Sequence, residues 1–235
     1  MTTGMSSDVQ IDMNRSTYSY DDHPSQTGEL FVPSGSGPFR VVVVVHGGYW
    51  KAQYDRSLMD GLCADLAAHG LAAWNIEYRR VGAGGGWPQT FLDVGSAVDL
   101  LADLDAPLDL SHVGAVGHSA GGQLALWAAL RSGLPSDAPG GAPRVEISAA
   151  VSQAGVLDLT LAAALMPSAT PTRALLGDPV VTTSATSSPP HESDSRWESR
   201  SSSSTATATT PSRCELRRAT SPRRAVQAIP ASSSS

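Results

Sequence analysis

Residues 116–126 read VGHSAGGQLAL and set Ser119 between Gly117 and Gly121. A serine in a G-x-S-x-G pattern, after a small apolar run and before apolar residues at helical spacing, suits a nucleophile projected from a sharp strand-to-helix turn. The flanking positions have to be small, because a Cβ there would collide with neighbouring backbone. The helix begins at the serine, so its free amides face any anion that forms there, and the Ala120 N–H would be one oxyanion donor. A tight turn with an incidental serine is the alternative, and a second motif weighs against it. HGGYW, His46–Trp50, follows the first long buried strand, where a glycine-rich loop can supply further oxyanion amides. Gly48 and Tyr49 are the expected donors. His46 reads as a brace that hydrogen-bonds the loop without titrating in catalysis. His118 is expected to shape the turn with its side chain directed away from Ser119. Trp50 and Trp87 stay open between lining an acyl or aryl pocket and ordinary core packing.

Four stretches, VVVHGGYW, WNIEYRR, GGGWPQT and VGHSAGGQLALW, resemble bacterial α/β-hydrolases related to kynurenine formamidase (arylformamidase). The likeness runs from about Phe39 to Gly177, in matching order and spacing. It implies an α/β-hydrolase fold and hydrolysis of an ester or N-formyl amide through an acyl-enzyme. It also implies Ser119 as nucleophile, Gly48, Tyr49 and Ala120 as oxyanion positions, and no metal or organic cofactor. In such a fold the triad runs in the order Ser, Asp or Glu, His. Past Ser119 the sole histidine is His191, and the acids before it include Asp158 and Asp178. Ser119, Asp178 and His191 have the right chain order. But His191 lies in SSPPHESDS, with no strand or helix to hold it, and catalytic geometry needs rigid support.

The tail has a regularity of its own. Residues 197–211 read WESRSSSSTATATTP. With GC-rich codons and freely chosen third bases, a frame one base earlier gives Leu-Gly-Val-Pro-Val-Val-Leu-Val-His-Gly-Asp-Arg-Asp-Asp-Thr. That is a buried strand followed by the acid-bearing loop the resemblance implies. The expectation is a frameshift near Leu176–Pro179, with the acid in the other frame and the base histidine further along it.

Strands and helices must hold these loops. STYSY (Ser16–Tyr20) and GELFVP (Gly28–Pro33) suit short opening strands. FRVVVVVHGG (Phe39–Gly48) has the unbroken β-branched character of a strand covered on both faces. RSLMDGLCADLAAHG (Arg56–Gly70) has apolar residues at helical spacing and a terminal glycine suited to a C-cap. LAAWNIEYR (Leu71–Arg79) is the next strand, followed by a loop at Gly82–Thr90 and a helix at Phe91–Leu104. A strand (Ser111–Gly117), a helix (Ser119–Arg131), a strand (Val145–Gly155) and a short helix (Leu157–Met166) complete the pattern. Alternating strands and helices predict an α/β class with a doubly wound, mostly parallel sheet, incomplete at its C-terminal strands. The expected organisation is a frayed segment 1–15, an incomplete hydrolase domain 16–178, and a low-complexity, disordered tail 179–235.

Composition narrows the function classes. At 235 residues and 41% apolar content the chain can bury an ordinary domain core. Seven arginines and four acids lie in 179–235, which leaves nine basic and eighteen acidic residues in 1–178, a net of −9. An acidic body argues against nucleic acid as partner, and the arginines of the tail would be products of the shifted frame. No apolar run approaches membrane-spanning length, and the N-terminus lacks the pattern of a signal peptide. The two cysteines, Cys63 and Cys214, fit no metal spacing and no disulfide framework, consistent with a cytoplasmic setting. The partner expected is a small ester or amide; oligomeric state is open. A non-catalytic binding protein of the same fold, or an acyltransferase using the same serine, are the other classes.

Overall fold

The computed structural model of the chain describes residues 14–165, 171–177 and 228–229. Two antiparallel strands, β1 (Asn14–Ser19) and β2 (Thr27–Val32), open it. Then come β3 (Phe39–Val45), helix α1 (Asp60–Ala68) behind a short 3-10 turn, β4 (Ala72–Ile76) and α2 (Gln89–Leu100). Strand β5 (Leu108–His118), α3 (Ala120–Leu130), β6 (Ile147–Gln153), α4 (Leu159–Leu165) and α5 (Pro171–Leu176) follow. A two-residue strand, β7 (Ala228–Ile229), closes the order.

The seven strands form one sheet in the order β6-β5-β3-β4-β2-β1-β7. From β6 to β4 every neighbour is parallel, and β2, β1 and β7 extend it antiparallel. Side chains of a strand alternate between faces. Accordingly Val41, Val43 and Val45 of β3 enter one core cluster with Trp74 and Ile76 of β4, while Val44 and Ala73 enter another. The first cluster includes Phe91, Val94 and Val98 of α2 and Leu124, Ala125 and Trp127 of α3. The second packs on Met59, Cys63 and Ala67. Helices on both faces make this the doubly wound α/β architecture expected of the alternating pattern.

Local departures from the sequence expectation have identifiable causes. Strand β6 starts at Ile147 because Asp99 Oδ1 takes the Arg144 and Val145 amides at 3.0 and 3.2 Å, off the sheet ladder. Helix α2 begins at Gln89, directly after Pro88, a residue that suits a first turn because it needs no amide donor there. Helix α5 has no counterpart in the sequence reading. Strand β1 starts within the segment expected to fray. Ala228 and Ile229, in the stretch expected to lack structure, pair with Tyr18 and Thr17. Cys63 is buried, and burial pushes its thiol up to about 12, so it packs as a small apolar group; Cys214 lies outside the described residues.

Among the described residues β6 has a strand partner on one side alone, and its Val151 is 57% exposed. An exposed apolar edge favours pairing with another chain. Val151→Lys is therefore expected to reduce concentration-dependent self-association in sedimentation velocity, with an unchanged circular dichroism spectrum.

Candidate active site

Ser119 stands where β5 ends and α3 begins, with φ +54° and ψ −118°. A non-glycine residue at positive φ is strained and persists where its surroundings over-determine it. Here the Ser119 N–H donates to Gln153 O of β6 at 2.8 Å, and its carbonyl accepts the first helical bond, from Gln123 N at 3.2 Å. The side chain makes no capping bond to α3 and the residue is half-buried. The hydroxyl is thus available at the helix N-terminus, where free amides favour negative charge.

The glycines around it are required by close backbone packing. A Cβ on Gly117 would overlap Gly121 O, and one on Gly121 would overlap the carbonyls of Val45 and His46. A Cβ on Gly47 would lie 2.5 Å from His118 O and 3.3 Å from Ser119 Cβ. The HGG loop therefore runs directly beside the serine. Past it, Gly48, Tyr49 and Trp50 all have positive φ, at +108°, +56° and +55°. Lys51 N closes the turn onto Gly48 O at 3.0 Å, and Val81 N holds Trp50 O at 2.8 Å. Gly48 has no room for a side chain against the Tyr54 ring. Tyr49 is exposed, while Trp50 is a core residue. Trp87 packs edge-on against Phe91 at 4.9 Å.

Behind the loop lies a buried polar cluster. His46, fully buried, has Nε2 2.9 Å from Glu77 Oε1 and Nδ1 2.7 Å from Gly47 O. Its ring stacks on Tyr78 at 4.5 Å, and Tyr78 OH donates to His46 O at 2.9 Å. Burial raises the Tyr78 phenol above its ordinary range, so it stays a donor. Glu77 also accepts the Tyr78 amide at 3.0 Å and the Arg56 amide at 3.0 Å, and faces Arg80 Nε at 3.4 Å. His46 is thus a brace, as its position after a buried strand suggested. Glu77 carried no role in the sequence reading. An acid directly after a mostly apolar strand is the signal that could have found it, since buried charges must be paired.

Ser119, Ala120, Gly48 and Tyr49 are thus gathered at one end of the sheet. His118 is exposed. Asp158 caps α4, its Oδ1 accepting Leu161 N at 2.7 Å. Asp178 and His191 lie outside the described residues. Among the described residues no three His, Cys, Asp or Glu side chains form a metal-sized cluster, and no helix is long and apolar enough to cross a membrane. Because the Gly121 site has no space to relax, Gly121→Ala is expected to cost at least about 2 kcal/mol, read as a lower urea midpoint.

Comparison with known proteins places this arrangement. No curated protein matches the sequence. A bifunctional GH43-CE protein from Bacteroides eggerthii matches at TM-score 0.60 and 23% identity, over 68% of this chain and 24% of its own. A truncated carbohydrate esterase from gut microbiota matches at TM-score 0.60 and 21% identity, over 70% and 65%. Esterase B from Lactobacillus rhamnosis, inhibited by a C4-C4 SN3 tributyrin phosphonate, matches at TM-score 0.57 and 26% identity, over 63% and 51%. This chain thus spans between a quarter and two thirds of the length of these proteins. The BD-FAE family model matches residues 29–190, and the chain, with its α/β-hydrolase fold, belongs to that family.

Proposed function

We propose that the chain carries the nucleophile and oxyanion half of a serine esterase site. Ser119 Oγ attacks the ester carbonyl, a histidine takes its proton, and the alcohol leaves to give an acyl-enzyme that water hydrolyses. The amides of Ala120, Gly48 and Tyr49 stabilise the tetrahedral oxyanion, each such donor being worth about 10²–10³ in rate. The observation that carries this reading is the strained Ser119 turn at a helix N-terminus, beside the HGG loop. The likeness to esterase B, a protein inhibited by a phosphonate, supports an ester as substrate. The motif likeness to kynurenine formamidases supports an aryl formamide as a further substrate of the same site.

The acid partner of Ser119 is proposed to come from the shifted frame over residues 197–211, and the base histidine from further along that frame, in place of Asp178 and His191. Loss of a triad histidine costs about 10⁶ in turnover in subtilisin, so the chain as given is expected to hydrolyse p-nitrophenyl acetate only weakly. With the frame restored, Ser119→Ala is expected to abolish hydrolysis, and persistence of the rate in that variant would refute the nucleophile.

The gene sequence around codons 176–179 tests the frame. Restoring it is expected to raise turnover at least about 10³-fold, on p-nitrophenyl acetate and N-formylkynurenine alike. Robust turnover of the chain as given, abolished by His191→Ala, would assign the base to His191 instead.

A further inference from the structure

The buried cluster behind the HGG loop has a consequence for the protons on His46. Both ring nitrogens face oxygens, Gly47 O at 2.7 Å and Glu77 Oε1 at 2.9 Å. A carbonyl and a carboxylate only accept, and a neutral imidazole has one N–H and one lone pair. In a fully buried ring a lone pair set against an oxygen would be left unsatisfied and repelled by it. A protonated Glu77 would escape this. But its Oε1 takes the Tyr78 N–H at 3.0 Å and faces Arg80 Nε at 3.4 Å, and its Oε2 takes the Arg56 N–H at 3.0 Å. With two backbone N–H donors and a guanidinium directed at its oxygens, Glu77 serves there as an acceptor.

We infer that His46 is a buried imidazolium, paired with Glu77, that orients and polarises the Gly47–Gly48 peptide as an oxyanion donor. The assignment rests on the esterase reading for the purpose of that donor. Nδ1–H donates to the Gly47 carbonyl. In a trans peptide the carbonyl and the following N–H point in opposite directions, so fixing Gly47 O toward His46 turns the Gly48 N–H away from it. Gly47 itself lies against Ser119. A charge-assisted bond at the carbonyl draws electron density through the amide and makes its N–H a stronger donor. The positive charge stays off the reacting atoms. Glu77 holds it in place against the like charge of Arg80, with Tyr78 stacked on the ring and bonded to the His46 carbonyl. His46 and Glu77 are positioning residues, acting through one peptide group.

The test is a proton–nitrogen spectrum of the full chain labelled with 15N-histidine, at pH 7. Two ring N–H signals from a single imidazole, linked to the Tyr78 ring by nuclear Overhauser effects, are expected. A single ring N–H would overturn the inference, and this needs no substitution that could disturb folding. In Glu77→Gln the second ring proton is expected to be lost and the Gly48 amide proton to move upfield. The rate at which a p-nitrophenyl phosphonate labels Ser119 in the frame-restored chain, followed by mass spectrometry, should drop about tenfold, less than loss of a whole oxyanion donor. An unshifted Gly48 amide or an unchanged labelling rate in a folded Glu77→Gln chain would refute the transmission. Failure of the phosphonate to label the frame-restored chain would instead count against Ser119 as nucleophile and leave the ring spectrum to decide the charge on His46.

Discussion

The site depends on one contact: the first turn of α3 pressed against the carbonyl ends of β3 and β5. Gly121 lies where a Cβ would overlap the Val45 and His46 carbonyls, and Gly117 where one would overlap Gly121. Backbone packed to backbone has no side chain to rearrange, so the approach distance is fixed by hard contact. It places the helix N-terminus beside the HGG loop. The turn linking β5 to α3 must then be short, and Ser119 takes a positive φ to make it. The bonds to Gln153 and Gln123 keep that conformation populated.

The loop beside the serine is held by a buried hydrogen-bonded cluster behind it. His46, Glu77 and Tyr78 are buried and bonded to one another, whereas Tyr49 is exposed and Ser119 half-buried. A rigid polar floor beneath an accessible hydroxyl is the arrangement that preorganised electrostatic stabilisation needs, since donors must already point at the place where charge develops. Buried ion pairs are expensive to desolvate. The pairing of His46 with Glu77 therefore serves placement of the loop better than it serves stability.

In the proposed reading the other half of the chemistry would come from the far side of the parallel sheet. Strand β6 ends at Gln153, whose carbonyl already holds Ser119, and a further strand beyond β6 would set its own carboxyl end next to the serine. The shifted frame proposed for residues 197–211 would supply such a strand, with an acid-bearing loop at its end.

The serine turn, the valine strand and the helix after it were legible because each rests on a local constraint. Glycines at positions 117 and 121 announce crowding, and β-branched runs announce burial on both faces. Boundaries were less legible, since β6 begins where Asp99, some 45 residues earlier in the chain, releases the backbone. The partnership of His46 and Glu77 could not be read at all. It follows from the parallel register that sets Val45 opposite Ile76, which brings the next residue of each strand side by side. The amino-acid sequence by itself determined the fold class and the turn that presents Ser119, because short-range sterics act between near neighbours. Tertiary structure alone decided which buried charges meet behind the loop, because strand register joins residues that no local pattern connects.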